Sequence, residues 1–110
     1  MLVLFLDAAC NHCKPLLARL RSEQLSNANA ALVVISESAA LRHDLPAEIT
    51  VLVDPGWSTI ARFGLRGTPA AAAVGADGAL AQLAVHGVSA VHAALDQIMP
   101  QEARHELAPI

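Results

Sequence analysis

The sequence predicts an α/β fold with a central mixed β-sheet of four to five strands flanked by helices, and three observations carry that prediction. Residues 2–6, Leu-Val-Leu-Phe-Leu, form a continuous apolar run, the pattern of a strand buried on both faces. Directly after it the hydrophobic period becomes helical, with Leu16, Leu17 and Leu20 on one face and Arg19, Arg21 and Glu23 turned outward. A second apolar run at 31–35 follows, so a right-handed crossover makes the two strands parallel.

The elements follow in order. The first helix is expected over about 12–25, with Pro15 confined to its first turn, where a missing N–H costs nothing. Residues 36–45 read as a short helix or loop ended by Pro46. A short strand at 49–53 stops at Asp54-Pro55-Gly56, and 57–63 has helical character up to Gly64. Residues 70–75 and 79–85 read as a hairpin across Asp77-Gly78, a strong turn signal. Ser89 is the expected N-cap of a last helix with Val91, Leu95 and Ile98 on its apolar face and Pro100 at its end. The polar tail, 101–110, is expected to fray. The whole chain, 1–110, is expected to be one domain.

Composition narrows the function. Hydrophobic residues make up 55% and charged residues 15%, which excludes a disordered chain. A net charge of −3 with no Lys/Arg stripe argues against nucleic acid as a partner. No apolar run approaches the ~18 residues of a membrane span. Residues 1–6 lack the basic flank of a signal peptide. A strand starting at residue 2 suits either a minimal domain, which would be cytoplasmic, or a piece of a longer tethered protein, which would act in the periplasm or otherwise outside the cytoplasm. No P-loop, dinucleotide fingerprint or Ser-His-Asp order is present, and no cofactor is expected.

The chemistry lies in Cys10-Asn11-His12-Cys13. Thiol–disulfide exchange needs a thiolate, and an ordinary thiol with a pKa of about 8.5 is only slightly ionised at neutral pH. A helix N-terminus offers unpaired N–H donors and a partial positive charge, which favour the anion. Cys10, at the helix mouth, is the expected nucleophile, and Cys13, one turn deeper, the resolving thiol. His12 lies between them. As a cation or hydrogen-bond donor it would favour the thiolate, stabilise the reduced state and make the couple more oxidising. Lys14 adds at most a small field. Asp7 is either an ordinary strand-end carboxylate or a proton acceptor for Cys13. Two other classes compete. Cys10 and Cys13 with a histidine such as His12 or His86 would suit a soft metal such as Cu(I), although one C-x-x-C is only half of a four-cysteine site and no metal is expected. A non-catalytic binding module would need neither the cysteines nor the Gly67-Thr68-Pro69 that precedes the 70–75 strand.

Taken together, the apolar strand leading into C-N-H-C-K and the later R-G-T-P before a hairpin resemble the thioredoxin superfamily. The segments V-L-V-D-P at 51–55, A-R-F-G-L-R-G-T-P at 61–69 and G-A-D-G at 75–78 are similar to the redoxin branch that includes TlpA-like thiol-disulfide interchange proteins and the methylamine-dehydrogenase maturation protein. The resemblance runs from Leu2 to about Met99. It implies a thioredoxin-like fold and a redox-active disulfide between Cys10 and Cys13. It also implies a cis Thr68–Pro69 bond beside that pair, with Thr68 backbone groups pairing with an extended substrate segment. The implied activity is disulfide exchange with protein thiols and disulfides, supported by an upstream redox partner, in a monomer. The sequence departs from the family in having Ala8-Ala9 where an aromatic usually precedes the first cysteine, Asn11-His12 where reducing thioredoxins have Gly-Pro, and no extra N-terminal strand and helix. Its histidine matches that of oxidase and isomerase motifs.

The remaining histidines, His43, His92 and His105, are expected at the surface. Trp57 is expected to cover one end of the core or to flank the active site.

Overall fold

The computed structural model describes residues 1–23, 30–79 and 84–99. Strand β1 (Leu2–Phe5) is buried at every position, as an unalternating apolar run requires when both faces of a strand are covered. The chain continues through α1 (Lys14–Ser22), β2 (Leu32–Ser36), α2 (Leu41–Asp44), β3 (Thr50–Val53), α3 (Ser58–Arg62), β4 (Ala70–Ala73), β5 (Val85–His86) and α4 (Val88–Ile98). The five strands form one mixed sheet in the order β3-β2-β1-β4-β5. β1, β2 and β3 are parallel, whereas β4 runs antiparallel to β1 and β5 antiparallel to β4. The register sets Phe5 opposite Ala70. The loop leaving β1 and the loop entering β4 therefore lie at the same end of the sheet, which positions the candidate site.

Alternate residues of β1 feed two cores, as the period of a strand dictates. Leu2, Leu4 and Leu6 pack with Leu16, Leu17 and Leu20 of α1 and with Val91 and Leu95 of α4. Val3 and Phe5 pack on the opposite side with Ile35, Ile60 and Leu65. There Phe5 meets Phe63 edge-on at 5.3 Å between ring centroids and Trp57 at 6.5 Å. Trp57 thus closes this second core. It adopts a left-handed conformation at φ +58°, just after Gly56 at +77°. Asp54 secures the turn by accepting hydrogen bonds from the Ser58 hydroxyl and from the Thr59 N–H and hydroxyl. These bonds occupy donors at the start of α3. Across the first core, Arg19 ties α1 to α4. It pairs with Glu23 and Asp96 and donates to Nδ1 and the carbonyl oxygen of His92. His92 is accordingly half-buried in this network, not a solvated surface residue.

Several boundaries differ from the sequence expectation. The first helix begins as a 3₁₀ turn over Asn11–Cys13 before α1 proper, and Leu25 lies outside the described residues. Gly87, not Ser89, occupies the N-cap of α4. At φ +95° Gly87 turns the chain directly from β5 into the helix, a conformation that serine resists. The antiparallel pairing of β4 and β5 agrees with the expected hairpin, but β5 spans only two residues. Gly78 takes φ +82° at the expected turn, and Gly75 N–H donates to the Ala79 carbonyl oxygen. Residues 80–83, the helix stop at Pro100 and the tail lie outside the described residues. No helix among the described residues is long and apolar enough to cross a membrane.

Candidate functional site

The chain leaves β1 through Leu6, whose N–H donates to the Ile35 carbonyl oxygen, and turns at Asp7. Cys10 N–H closes that turn on the Asp7 carbonyl oxygen at 3.1 Å, and Cys13 N–H closes the next on the Cys10 carbonyl oxygen at 3.1 Å. Cys10 sits at the N-cap of the 3₁₀ turn in extended conformation, so its side chain stands at the mouth of the helical segment. Pro15 falls in the first turn of α1. Cys10 is half-buried and Cys13 fully buried, and both are free thiols.

Their environments drive the two thiols apart. Burial alone would raise the Cys10 pKa, but hydrogen bonds from the Cys13 thiol, the Thr68 hydroxyl and the backbone N–H groups of Cys13 and His12 outweigh it, and the net shift is downward. Cys13 is pushed up to about 12, first by burial, then by its hydrogen bond to Cys10 and by the Cys10 charge. One sulfur is prepared to ionise and its neighbour to stay protonated and donate to it. That asymmetry is what a nucleophile with a resolving partner requires.

The loop entering β4 supplies the second wall. The Thr68–Pro69 peptide is cis, Pro69 is buried and Thr68 half-buried. The Cys10 thiol donates to the Thr68 carbonyl oxygen at 3.8 Å. Two bonds from the β5 end hold this loop. Gly87 N–H donates to the Pro69 carbonyl oxygen at 2.9 Å, and Arg66 N–H donates to Nε2 of His86 at 3.0 Å. His12, Arg66, Thr68, Pro69 and His86 line an open cleft of about 390 Å³ here. His12 is exposed, and its position after Cys10 brings it to the rim of that cleft.

The structure thus brings together Cys10, Cys13, His12, Thr68 and Pro69. Asp7 joins them through its backbone. Trp57 belongs to the core beside Phe5, and His43 is exposed on α2; His105 lies outside the described residues. Among the described residues no cluster of three or more His, Cys, Asp or Glu is arranged to hold a metal ion. His86, considered above only as a soft-metal ligand, instead accepts a backbone hydrogen bond from the Thr68–Pro69 loop. Nothing in the local sequence signals this, because the partners are twenty residues apart. A larger apolar hollow, about 430 Å³, lies between β4 and α4 and is lined by Ala71, Ala72, Ala90, Ala93 and Ala94 among others. Its lining includes no cysteine, histidine or carboxylate.

Comparison with known proteins bears on this arrangement. No family model matches the chain, and no curated protein matches it. Among solved structures, a crystal structure assigned to a thiol:disulfide interchange protein DsbE from Chlorobium tepidum is similar, with a TM-score of 0.62 at 23% identity, over 87% of this chain and 74% of that one. The mixed five-stranded sheet flanked by helices is thus a thioredoxin-like α/β fold.

Proposed function

We propose that this protein is a thiol-disulfide oxidoreductase of the redoxin, TlpA-like kind, in which Cys10 is the nucleophile and Cys13 the resolving thiol. One observation carries the reading: an accessible thiol with a lowered pKa and a buried thiol with a raised one share a hydrogen bond at a helix mouth, beside Thr68–Pro69.

In the reducing direction the Cys10 thiolate attacks one sulfur of a substrate disulfide. A Cys10–substrate S–S bond forms and the substrate's second sulfur leaves as a thiolate, which takes up a proton. Forming that mixed disulfide removes the Cys10 charge and its hydrogen bond, two of the causes that keep Cys13 protonated. Cys13 then loses its proton and attacks Cys10. The Cys10–Cys13 disulfide forms and the second substrate thiolate is expelled. The substrate gains two electrons and the protein loses two, to be restored by an upstream dithiol partner; oxidation is the same sequence reversed. In this reading Thr68 backbone groups pair with an extended substrate segment, and His12 at the rim favours the thiolate. The working unit is a monomeric single domain.

The reading is tested by reduction of an insulin disulfide with dithiothreitol as the reductant. Wild-type protein accelerates the reaction, and Cys10→Ser returns it to the uncatalysed rate. Full activity in Cys10→Ser eliminates the mechanism.

A further inference from the structure

A peptide N–H is always a donor, so the 3.0 Å bond from Arg66 N–H fixes Nε2 of His86 as an acceptor and the ring as the neutral Nδ1–H form. An imidazolium has no lone pair left at Nε2, so protonation abolishes this bond. Arg66 opens the loop that ends in Thr68 and Pro69, and Thr68 contacts Cys10 through its carbonyl oxygen and its hydroxyl. The next residue, Gly87, donates its N–H to the Pro69 carbonyl oxygen, so His86 and Gly87 hold the loop at both ends. The charged or titratable groups lining the cleft with His86 are His12, after Cys10, and Arg66 itself. Paired strand β4 contributes only alanines, and α4 contributes Val88.

We infer that His86 is a positioning residue: its neutral ring holds the Arg66–Pro69 loop, and with it Thr68, against Cys10, and releases that hold on protonation. The inference deepens the exchange reading, but its consequence for Cys10 is measurable without any disulfide substrate. A bond to the neutral ring and the charge of the protonated ring act on the Cys10 thiolate with opposite signs. Loss of the bond loosens the loop and with it the hydrogen bond by which the Thr68 hydroxyl lowers the Cys10 pKa, and so disfavours the thiolate. A positive charge close by would favour it.

The test is the rate of Cys10 alkylation by iodoacetamide in the reduced protein as a function of pH, for wild type, His86→Gln and His86→Leu. The His86 ring titration is followed by NMR in the same wild-type sample. Cys13, buried and protonated, stays silent. Above the ring's titration His86→Leu is expected to react on the order of threefold to fivefold more slowly than wild type, the scale of one lost hydrogen bond. Below it, where wild type has lost the same bond, the two converge. His86→Gln keeps an acceptor that does not titrate. For both variants the rate relative to wild type therefore rises as pH falls through the ring's titration. A flat ratio overturns the inference, and a falling ratio overturns it in favour of a charge effect. His86 is exposed, and either variant alone suffices. If the ratio rises in a protein that does not exchange disulfides, the positioning role stands and the exchange reading falls.

Discussion

The Cys10 thiol and the Thr68 carbonyl oxygen meet at 3.8 Å although 58 positions separate them in the chain. The contact exists because β4 runs antiparallel beside β1 and sets Ala70 opposite Phe5. The Thr68 hydroxyl is among the groups that lower the Cys10 pKa. Thr68→Ala removes the hydroxyl and keeps the carbonyl. Its Cys10 is expected to be alkylated roughly fivefold more slowly near neutral pH, the scale of about 1 kcal/mol, with the inflection of the pH–rate profile moved upward. An unmoved inflection would remove Thr68 from the set of groups that stabilise the thiolate.

The mechanism gives the cysteines unequal fates when one is removed. In Cys13→Ser the mixed disulfide has no resolving thiol, so incubation with a disulfide-containing peptide should accumulate a covalent adduct on Cys10, detected by mass spectrometry and reversed by dithiothreitol. Cys10→Ser should accumulate almost none, because Cys13 is buried, and burial, the largest cause of its raised pKa, persists without Cys10.

Asp54 shows how pH enters stability away from the cysteines. Hydrogen bonds from the Thr59 hydroxyl, the Thr59 N–H and the Ser58 hydroxyl hold its carboxyl below the usual range. A carboxylate with a depressed folded-state pKa stabilises the fold above its unfolded value of about 3.9, and that contribution is lost as pH falls through the folded value. Asp54→Ala should therefore lower Tm at neutral pH, and the difference from wild type should close in acid. A difference independent of pH would mean that the loop does not depend on the ionised carboxylate.

Ser36, at the end of β2, is fully buried, and its hydroxyl has no hydrogen-bond partner among the described residues. Leaving such a group unsatisfied costs about 1–3 kcal/mol. Ser36→Ala is expected to raise stability by about 1 kcal/mol in urea unfolding with an unchanged m-value. A loss of stability would show that the hydroxyl has a partner in solution.

How much of this was legible in the sequence depended on the range of the interaction. The run at 2–6, the helical spacing of Leu16, Leu17 and Leu20, and the placement of Cys10 before the first helical turn are local patterns, and each appears in the fold. The proximity of Thr68 to Cys10 is set by the β1–β4 pairing, which no spacing encodes; only the resemblance to a family anticipated it. Ser89 misled because its intrinsic capping preference is strong, while the sharp exit from β5 demanded the positive φ of Gly87. The Arg66–His86 bond joins a backbone N–H to a side chain on another element, so neither residue carries a mark of it. His92 was misjudged for the same reason. Arg19 on α1 draws it into a network that exists only once α1 and α4 are packed.

The most direct test of the account is redox equilibration of the intact protein against glutathione buffers, with the Cys10–Cys13 state read by mass after acid quenching. We predict a single two-electron transition to a form lighter by two hydrogens. Its potential should lie above about −270 mV, because the factors that lower the Cys10 pKa also stabilise the reduced form. Glutathione adducts forming independently on the two cysteines, with no internal disulfide at any poise, would contradict it.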